Sequence, residues 1–209
     1  MPLARVVEPA LPLPLLRRAR RAIARLGAER LRESYFTTFW LQHGAPAAHA
    51  VEEAVRALEP LGRAPGCAGL EWWIGRSYTN AVPIGFHFDQ DVKSARGLRH
   101  PFLSSVLFFN RVRGGQLAIT DQRPGPRGEP RPAQPRQLQA IAPRRNRYVV
   151  FPGDLLHGVL DARGQTPGAR RLAGPRGRLR VTLVVNFWEA RPTGVPTFAE
   201  SRAYRALSK

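Results

Sequence analysis

Two contrasting patterns of apolar residues divide the sequence near residue 70. Before that point, apolar positions recur every three or four residues in two stretches, 14–33 and 46–58, with charged residues between them. This spacing puts the apolar side chains on one face and predicts two helices. Pro60 and Gly62 follow the second stretch, and we expect them to end it. Between the two helices, residues 35–41 are dense in aromatic and β-branched side chains, which predicts a strand.

After residue 70 the helical spacing gives way to short apolar runs, separated mostly by glycine, proline or charged clusters. These runs predict strands over 70–76, 82–88, 102–110, 116–120, 147–151, 157–160 and 178–188. Many short strands after a helical start favour a mainly β protein with N-terminal helices and a jelly-roll core. We expect one domain over 1–209. Within it, 1–69 is a helical support region plus a first strand, 70–189 is the core, and 190–209 is a C-terminal tail.

Two segments interrupt the predicted strands. Residues 121–147 are rich in proline and arginine, and residues 161–178 are rich in glycine, arginine and proline. Such compositions predict exposed loops. Two interpretations stay open for both segments: they are lids or substrate-binding loops, or they are solvated insertions with no role in function.

The formal net charge of +18 comes almost entirely from arginine. Only Lys93 and Lys209 are lysines among the 33 basic residues, so the other 31 are arginines. One interpretation is an acidic partner, which a basic surface would attract by electrostatic steering. The other is the codon bias of a GC-rich genome, which also favours proline, glycine and alanine. The charge alone does not decide between them.

Other features bear on the compartment in which the chain works. Cys67 is the single cysteine, so no internal disulfide can form, and a reducing, cytoplasmic setting is expected. The sequence contains no run of 18 apolar residues, so we expect no membrane span. Residues 15–23 are basic and amphipathic like a targeting peptide, but Glu8 and Glu29 flank them and serine is scarce. A surface helix is therefore the favoured interpretation.

Three side chains have the spacing of a metal site. His87 and Asp89 are two residues apart, so on an extended chain both point to the same side. With a third ligand from another strand they would form the facial arrangement typical of non-haem Fe(II) oxygenases. His157 follows an apolar strand and a Pro-Gly turn, which can bring it back over the sheet. By itself a His-x-Asp pair is a weak signal, and a lone histidine is more often a core residue.

An arginine near the start of the most apolar strand is the next candidate. If Arg180 points inward, its charge needs an anionic partner. A buried charge without a partner destabilises the folded protein by several kcal/mol, on the order of 3–5 kcal/mol. A dicarboxylate ligand would supply that partner through a two-pronged hydrogen bond. Arg178 has the same strand parity, so periodicity cannot choose between the two. We favour Arg180 because it lies deeper in the apolar run. The alternative is an arginine that faces solvent.

In their order along the chain, these segments resemble the Fe(II)/2-oxoglutarate-dependent dioxygenases, specifically the prolyl-hydroxylase-like branch. The resemblance covers roughly residues 70–189. It consists of a tyrosine followed by His-x-Asp over 78–89, Ser-Val-Leu-Phe-Phe-Asn at 105–110 followed by Gly-Gly-Gln-Leu at 114–117, a Phe-Pro-Gly segment with a distal histidine over 143–159, and an arginine-bearing strand over 180–188. Each motif is weak, but their joint order is specific.

The resemblance implies a double-stranded β-helix with a catalytic Fe(II) centre. It implies His87, Asp89 and His157 as the iron ligands and Arg180 as the partner of the distal carboxylate of 2-oxoglutarate. Phe108 stands where relatives often carry a tyrosine hydroxyl that helps to hold 2-oxoglutarate, and Tyr78 is the candidate to supply that hydroxyl instead. Dioxygen is then the co-substrate, and ascorbate is a further cofactor candidate.

The implied reaction is hydroxylation of a peptidyl or amino-acid side chain, with proline as the first candidate, coupled to oxidative decarboxylation of 2-oxoglutarate to succinate. The expected partner is therefore a protein, peptide or amino-acid substrate, and an acidic one would suit the basic loops. Halogenation is disfavoured because it needs the carboxylate position vacated, and Asp89 is present. Nucleic-acid demethylation is disfavoured because those relatives carry a second arginine six residues after the first, where this chain has Asn186.

Two alternatives belong to other classes of protein. One is a non-catalytic jelly-roll binding module, which would bind no iron and turn over no 2-oxoglutarate. The other is a basic nucleic-acid-binding protein with an accidental His/Asp pattern, whose affinity would fall steeply with salt. Residues 121–147 lack aromatic side chains between their arginines, which disfavours a stacking platform for single strands.

Overall fold

The computed structural model describes residues 2–29, 31, 37–62, 65–78, 85–94, 97–166 and 179–209. Its helical elements are α1 (Leu13–Ala24), α2 (Ala50–Gly62) and a 3-10 helix (Arg205–Ser208) near the C-terminus. Its strands are β1 (Arg5–Val7), β2 (Phe39–Gln42), β3 (Gly69–Tyr78), β4 (Leu103–Phe108), β5 (Gln116–Thr120), β6 (Arg123–Pro124), β7 (Pro130–Arg131), β8 (Leu138–Ile141), β9 (Arg147–Pro152), β10 (His157–Leu160) and β11 (Leu179–Trp188). None of the described helices is long and apolar enough to cross a membrane.

Two antiparallel sheets form the core. The large sheet has the strand order β1-β9-β4-β11-β3-β2, and the small sheet has the order β10-β5-β8. Strands β6 and β7 make a separate short hairpin. The two longest strands, β3 and β11, pair along their whole length at the centre of the large sheet, from Gly69 opposite Trp188 to Tyr78 opposite Leu179. The predicted mainly β architecture with N-terminal helices is confirmed.

Alternation along the strands gives the large sheet two apolar faces. On β4, Leu107 packs in a cluster with the helices, whereas Val106 and Phe108 pack in a second cluster with Leu117 and Ile119 of the small sheet. Side chains that alternate in this way must point to opposite faces of the sheet. The second cluster therefore marks the interior between the two sheets, where a ligand-binding site would lie.

The other face of the large sheet is covered by the helices and the C-terminal segment. Leu16 and Ile23 of α1 and Val55 of α2 are buried in this cluster, and so are Phe198 and Tyr204 from beyond the last strand. Burying a large apolar side chain contributes about 1.5–3 kcal/mol, so this layer is a main source of stability. Residues 190–209 thus contribute to the core that supports the sheet.

The helix boundaries differ from those expected. Helix α2 begins at Ala50 because His49 caps it: the Glu52 backbone N–H donates to His49 Nδ1 at 3.2 Å, and the Glu52 carboxylate accepts the Ala48 N–H at 2.8 Å. It then continues through Pro60 to Gly62, so the expectation that Pro60 ends it is wrong.

The first helix is shorter than predicted, because it ends at Ala24 and is followed by turns around Gly27, which has a positive φ of 51°.

The strand predictions hold best in the interior of the sheets. Strands β5 and β10 have the predicted bounds, and β3, β4, β9 and β11 differ from theirs by one or two residues at an end. The predicted strand over 82–88 is wrong in its described part, since 85–88 contain one isolated bridge, between His87 and His157. Strand β1 was not predicted, and neither were the hairpin β6–β7 and strand β8 within the expected loop 121–147.

Candidate metal centre

His87, Asp89 and His157 converge at one end of the interior between the sheets. His157 opens β10, and His87 forms the antiparallel bridge beside it, with backbone hydrogen bonds of 2.8 and 3.0 Å in the two directions. The two imidazole rings lie 4.5 Å apart, centroid to centroid. One ligand atom from each of the three residues lies within 4.8 Å of the other two. This spacing suits three ligands of one metal ion.

Backbone hydrogen bonds orient both imidazoles. The Nδ1 atom of His87 lies 2.9 Å from the Gly85 carbonyl, and that of His157 lies 2.9 Å from the Leu155 carbonyl. A carbonyl only accepts, so Nδ1 carries the proton in each ring and the lone pair is on Nε2. Each Nε2 lies 3.6 Å from a different oxygen of Asp89. The tautomers are thus set for metal binding through Nε2.

The Asp89 carboxylate is buried and held by a second residue. The Ser104 hydroxyl donates to Asp89 Oδ2 at 2.6 Å from the adjacent strand β4. Burial alone would raise the pKa of Asp89, but the neighbouring His157 and His87 and the Ser104 hydrogen bond bring it far below its ordinary value. The carboxylate is therefore ionised, as a metal ligand must be.

The two histidines differ in their exposure. His157 is buried, and burial lowers its pKa although Asp89 opposes that shift. The His87 side chain is 36% exposed. Burial also acts to lower the pKa of His87, but the hydrogen bond and the charge of Asp89 outweigh it and raise the value. The exposed side of His87 leaves the three-residue group accessible from outside the barrel.

Asp91, a carboxylate two residues after Asp89, has a structural role. Its Oδ2 accepts from Arg99 Nη2 at 2.8 Å and from the Thr193 hydroxyl at 3.0 Å, and its Oδ1 accepts the Lys93 N–H at 3.2 Å. His100 Nδ1 contacts the Asp89 carbonyl at 2.7 Å. These bonds fix the chain at the Asp89 carbonyl and at Asp91 just after it.

Arg180 lies in the same interior, near its other end. It is buried, its Nε donates to the Gly115 carbonyl at 2.9 Å, and its guanidinium carbon stands 5.1 Å from the Phe108 ring centroid. Within the described residues, its one other hydrogen bond is a long one of 3.5 Å to the Thr182 hydroxyl. Among the described residues no carboxylate forms an ion pair with it. Burial lowers the pKa of Arg180 to about 10, so the guanidinium stays charged at neutral pH.

Tyr78, the other residue predicted to hold the cofactor, does not lie beside Arg180. Arg180 is paired with Ser77 and Leu179 with Tyr78, and paired residues share a face of the sheet. Tyr78 is therefore on the face opposite to Arg180, and the structure does not bring the two together. Arg178 lies outside the described residues. Sequence reasoning missed Ser104 and Thr182, because nothing in their local sequence shows what their strands face.

No protein-family model and no curated protein matches the chain. Solved structures do match it. A prolyl-4-hydroxylase from Pseudomonas putida is similar over 90% of this chain and 94% of its own, with a TM-score of 0.54 and 22% identity. A 2OG-Fe(II) oxygenase family oxidoreductase from Burkholderia pseudomallei is similar over 93% and 88%, with a TM-score of 0.52 and 15% identity. The chain has the fold of the 2OG-Fe(II) oxygenases. This fold is the double-stranded β-helix, so the predicted jelly roll is confirmed.

HygX from Streptomyces hygroscopicus, solved with nickel and 2-oxoglutarate bound, is a third match of the same fold. It is similar over 94% of this chain and 83% of its own, with a TM-score of 0.53 and 11% identity. Identities this low establish the oxygenase fold alone, so the chemistry of this chain has to be argued from its own side chains. His87, Asp89 and His157 provide two imidazole nitrogens and one carboxylate, the donor set of the non-haem Fe(II) oxygenases.

Proposed function

We propose that the chain is an Fe(II)- and 2-oxoglutarate-dependent dioxygenase that hydroxylates a peptidyl or amino-acid side chain, with proline as the first candidate. The observation that carries the proposal is the combination of a two-histidine, one-carboxylate group with a buried arginine that has no carboxylate partner among the described residues, inside the same β-helix. In this proposal His87, Asp89 and His157 hold the metal ion, and Arg180 binds the distal carboxylate of 2-oxoglutarate.

The separation of the two groups supports a ligand of this length. Arg180 donates to the carbonyl of Gly115, whose N–H donates to Leu160 at 2.8 Å. His157 is three residues before Leu160 on β10, a distance of roughly 10 Å along a strand. A five-carbon dicarboxylate spans roughly 5 Å between its terminal carbons. With a bond at each end, such a ligand has a length of the same order as this backbone separation.

The chain's own side chains would orient the metal ligands and exclude water from the site. Bound iron and 2-oxoglutarate would supply the oxidising power, with dioxygen as co-substrate and ascorbate as a candidate reductant. The Nδ1–carbonyl bonds of both histidines keep Nε2 free of a proton. Ser104 orients Asp89, and the apolar side chains of Phe108 and Phe151 exclude water around the site.

Two observations support a peptide-like substrate over other classes. A prolyl hydroxylase from Trichoplax adhaerens solved in complex with a peptide fragment is also among the structures that this chain resembles, and that supports a peptide substrate. The net charge of +18 would attract an acidic peptide. A free amino acid is the competing substrate of the same reaction. Nucleic-acid demethylation is disfavoured, because the position six residues after Arg180 is Asn186 and not a second arginine.

Anaerobic titration with Fe(II) and then 2-oxoglutarate tests the proposal. We expect a visible metal-to-ligand charge-transfer band that appears only when both are present, and that is lost in Asp89→Ala. Asp154→Ala, which removes an exposed aspartate outside the group, should keep the band. A wild-type protein without the band would refute the assignment. A screen of acidic and neutral proline peptides against free amino acids, read out as succinate formation above background, then identifies the substrate class.

A further inference from the structure

Three polar side chains form a row across the large sheet beside the metal centre. Asn186 is paired with Glu71 on β3. On its other side, β4 and β11 pair in a constant register, with Leu103 opposite Phe187 and Val106 opposite Val184, and this register puts Ser104 opposite Asn186. Directly opposed residues share a face, so all three side chains point into the interior with the metal ligands. We call Ser104, Asn186 and Glu71 the polar row.

The outer members of the polar row are engaged by other groups. The Ser104 hydroxyl donates to Asp89 at 2.6 Å. The Glu71 carboxyl accepts from Trp188 Nε1 at 2.9 Å and is hydrogen-bonded by Thr38. Neither Ser104 nor Glu71 has a hydrogen bond to Asn186 among those described. The arrangement therefore leaves Asn186 without a lateral partner on either neighbouring strand.

The Asn186 side-chain oxygen has no hydrogen-bond partner in the part of the chain that the structure describes. The residue is only 1% exposed, and its Oδ1 is buried. A buried polar group without a partner is destabilising, and such groups are rare in folded proteins. An amide kept at this cost, next to the serine that holds a metal ligand, has the position expected of a ligand-binding group.

The chemistry of the row indicates what would bind. A carboxamide offers an acceptor oxygen and a donor nitrogen side by side, and the group that matches both is another amide. Burial, reinforced by the charge of Asp89, raises the pKa of Glu71 to about 7, so the row does not carry the full charge that a cationic ligand would need. The row favours an uncharged, hydrogen-bonding ligand.

We propose that Asn186 is a substrate-binding residue whose side-chain amide pairs with an amide group of the substrate and so holds the substrate beside the metal centre. This inference rests on the proposed oxygenase function and narrows its substrate to a molecule with an amide next to the oxidised carbon. The amide comes from a peptide backbone, which is secondary, or from a free carboxamide, which is primary.

NMR titration of the ¹⁵N-labelled full chain, loaded with Zn(II) and 2-oxoglutarate, tests the pairing. The Asn186 side-chain NH₂ signal is identified by its loss in Asn186→Leu. We expect N-methylacetamide to shift this signal saturably and methyl acetate, which lacks the N–H, to leave it in place. Acetamide distinguishes the sources, because a site built for peptide amides should prefer N-methylacetamide. No shift with either amide, or an equal shift with the ester, would overturn the proposal.

Thermal unfolding gives a second, independent readout. Asn186→Leu removes an amide whose buried oxygen has no donor among the described residues, at nearly constant volume, so its melting temperature should equal or exceed that of the wild type. Asn110→Leu is the matched control: its amide donates to the Leu179 carbonyl at 2.7 Å and accepts the Val181 N–H at 3.1 Å, so its loss should lower the melting temperature. A similar loss in Asn186→Leu would mean a structural role and contradict the inference.

The same samples separate this inference from the proposed function. Zn(II) should shift the ring signals of His87 and His157, which tests the metal centre without any amide probe. If the metal shifts appear and the amide probes have no effect, only the role of Asn186 is wrong. If the amide probes bind and the metal does not, the oxygenase assignment is wrong and the amide site remains.

Discussion

The two ends of the β-helix interior differ in how their buried charged groups are partnered. At the metal end, the Asp89 carboxylate is surrounded by His87, His157 and the Ser104 hydroxyl, all of which favour its ionised form. At the other end, the Arg180 guanidinium has one backbone carbonyl, one long contact and an aromatic face. The metal end has its ligand geometry already formed by the protein. At the arginine end the charge has no carboxylate partner among the described residues, and this is where we propose that 2-oxoglutarate binds.

Loss of a metal ligand should have the largest effect. His157→Ala or Asp89→Ala should abolish measurable Fe(II) binding, because each removes one of three ligands, and losses outside the ligand shell already cost about 10–100-fold in metal affinity. Anaerobic equilibrium dialysis measures the change. His43→Ala is the control, since this exposed histidine pairs with Glu59 far from the centre. Wild-type iron affinity in His157→Ala would mean that the three residues do not form the site.

Changes at Arg180 test the other end of the comparison. Arg180→Ala should weaken 2-oxoglutarate binding by about 3–5 kcal/mol, the usual loss when one partner of a buried ion pair is removed. Without 2-oxoglutarate the sign should reverse in Arg180→Met, which removes an uncompensated charge and should be as stable as the wild type or more so. Isothermal titration calorimetry and thermal unfolding measure the two effects. A destabilised Arg180→Met apoprotein would show that the arginine is already paired within the chain.

The pH dependence of stability should reveal a second carboxyl at the metal end. Burial, with a contribution from the charge of Asp89, raises the pKa of Glu71 from 4.5 to about 7. The folded state therefore binds more protons than the unfolded state between these values, and stability falls as pH rises from about 4.5 to 7. The loss is on the order of 3 kcal/mol.

Urea unfolding at several pH values measures this dependence. Glu71→Gln keeps an uncharged side chain of the same shape and should remove most of the slope between pH 5 and 7. The slope of Glu59→Gln, which alters a glutamate of the helical layer, should match that of the wild type. An unchanged slope in Glu71→Gln would show that Glu71 is already ionised in the folded protein.

The sequence was informative about the residues of the candidate site and less informative about the strands that position them. The i, i+2 spacing of His87 and Asp89 predicted a shared direction, and the structure brings both to His157, although the segment is a single bridge rather than a strand. Arg180 could be identified from the sequence because an arginine inside an otherwise apolar strand is unusual. Short edge strands such as β1 and β8 gave no such signal, because their partners are distant in sequence.

The role of Ser104 shows this limit most clearly. Residues 104 and 105 are both serines on β4, both fully buried, and local sequence gives no reason to distinguish them. Only the alternation of the strand and the register of the sheets separates them. Ser104 faces the interior and bonds to Asp89, whereas Ser105 bonds to the Val185 carbonyl. The different roles of the two serines depend on strand pairing between segments that are far apart in the sequence, and local sequence patterns carry no information about that pairing.

The smallest predicted effect concerns this pair of serines and tests whether the sheet supports the metal end of the interior. Ser104→Ala removes the donor that orients the Asp89 carboxylate and should weaken Fe(II) binding by about tenfold, the lower end of the range for groups that support a ligand. Ser105→Ala removes the same atom one residue along and should leave iron affinity unchanged. Both variants lose one buried hydrogen bond, so their stabilities should fall by similar amounts, about 1 kcal/mol. Equal iron affinities in the two variants would mean that Asp89 is oriented by its backbone alone and that the metal end needs no support from the sheet.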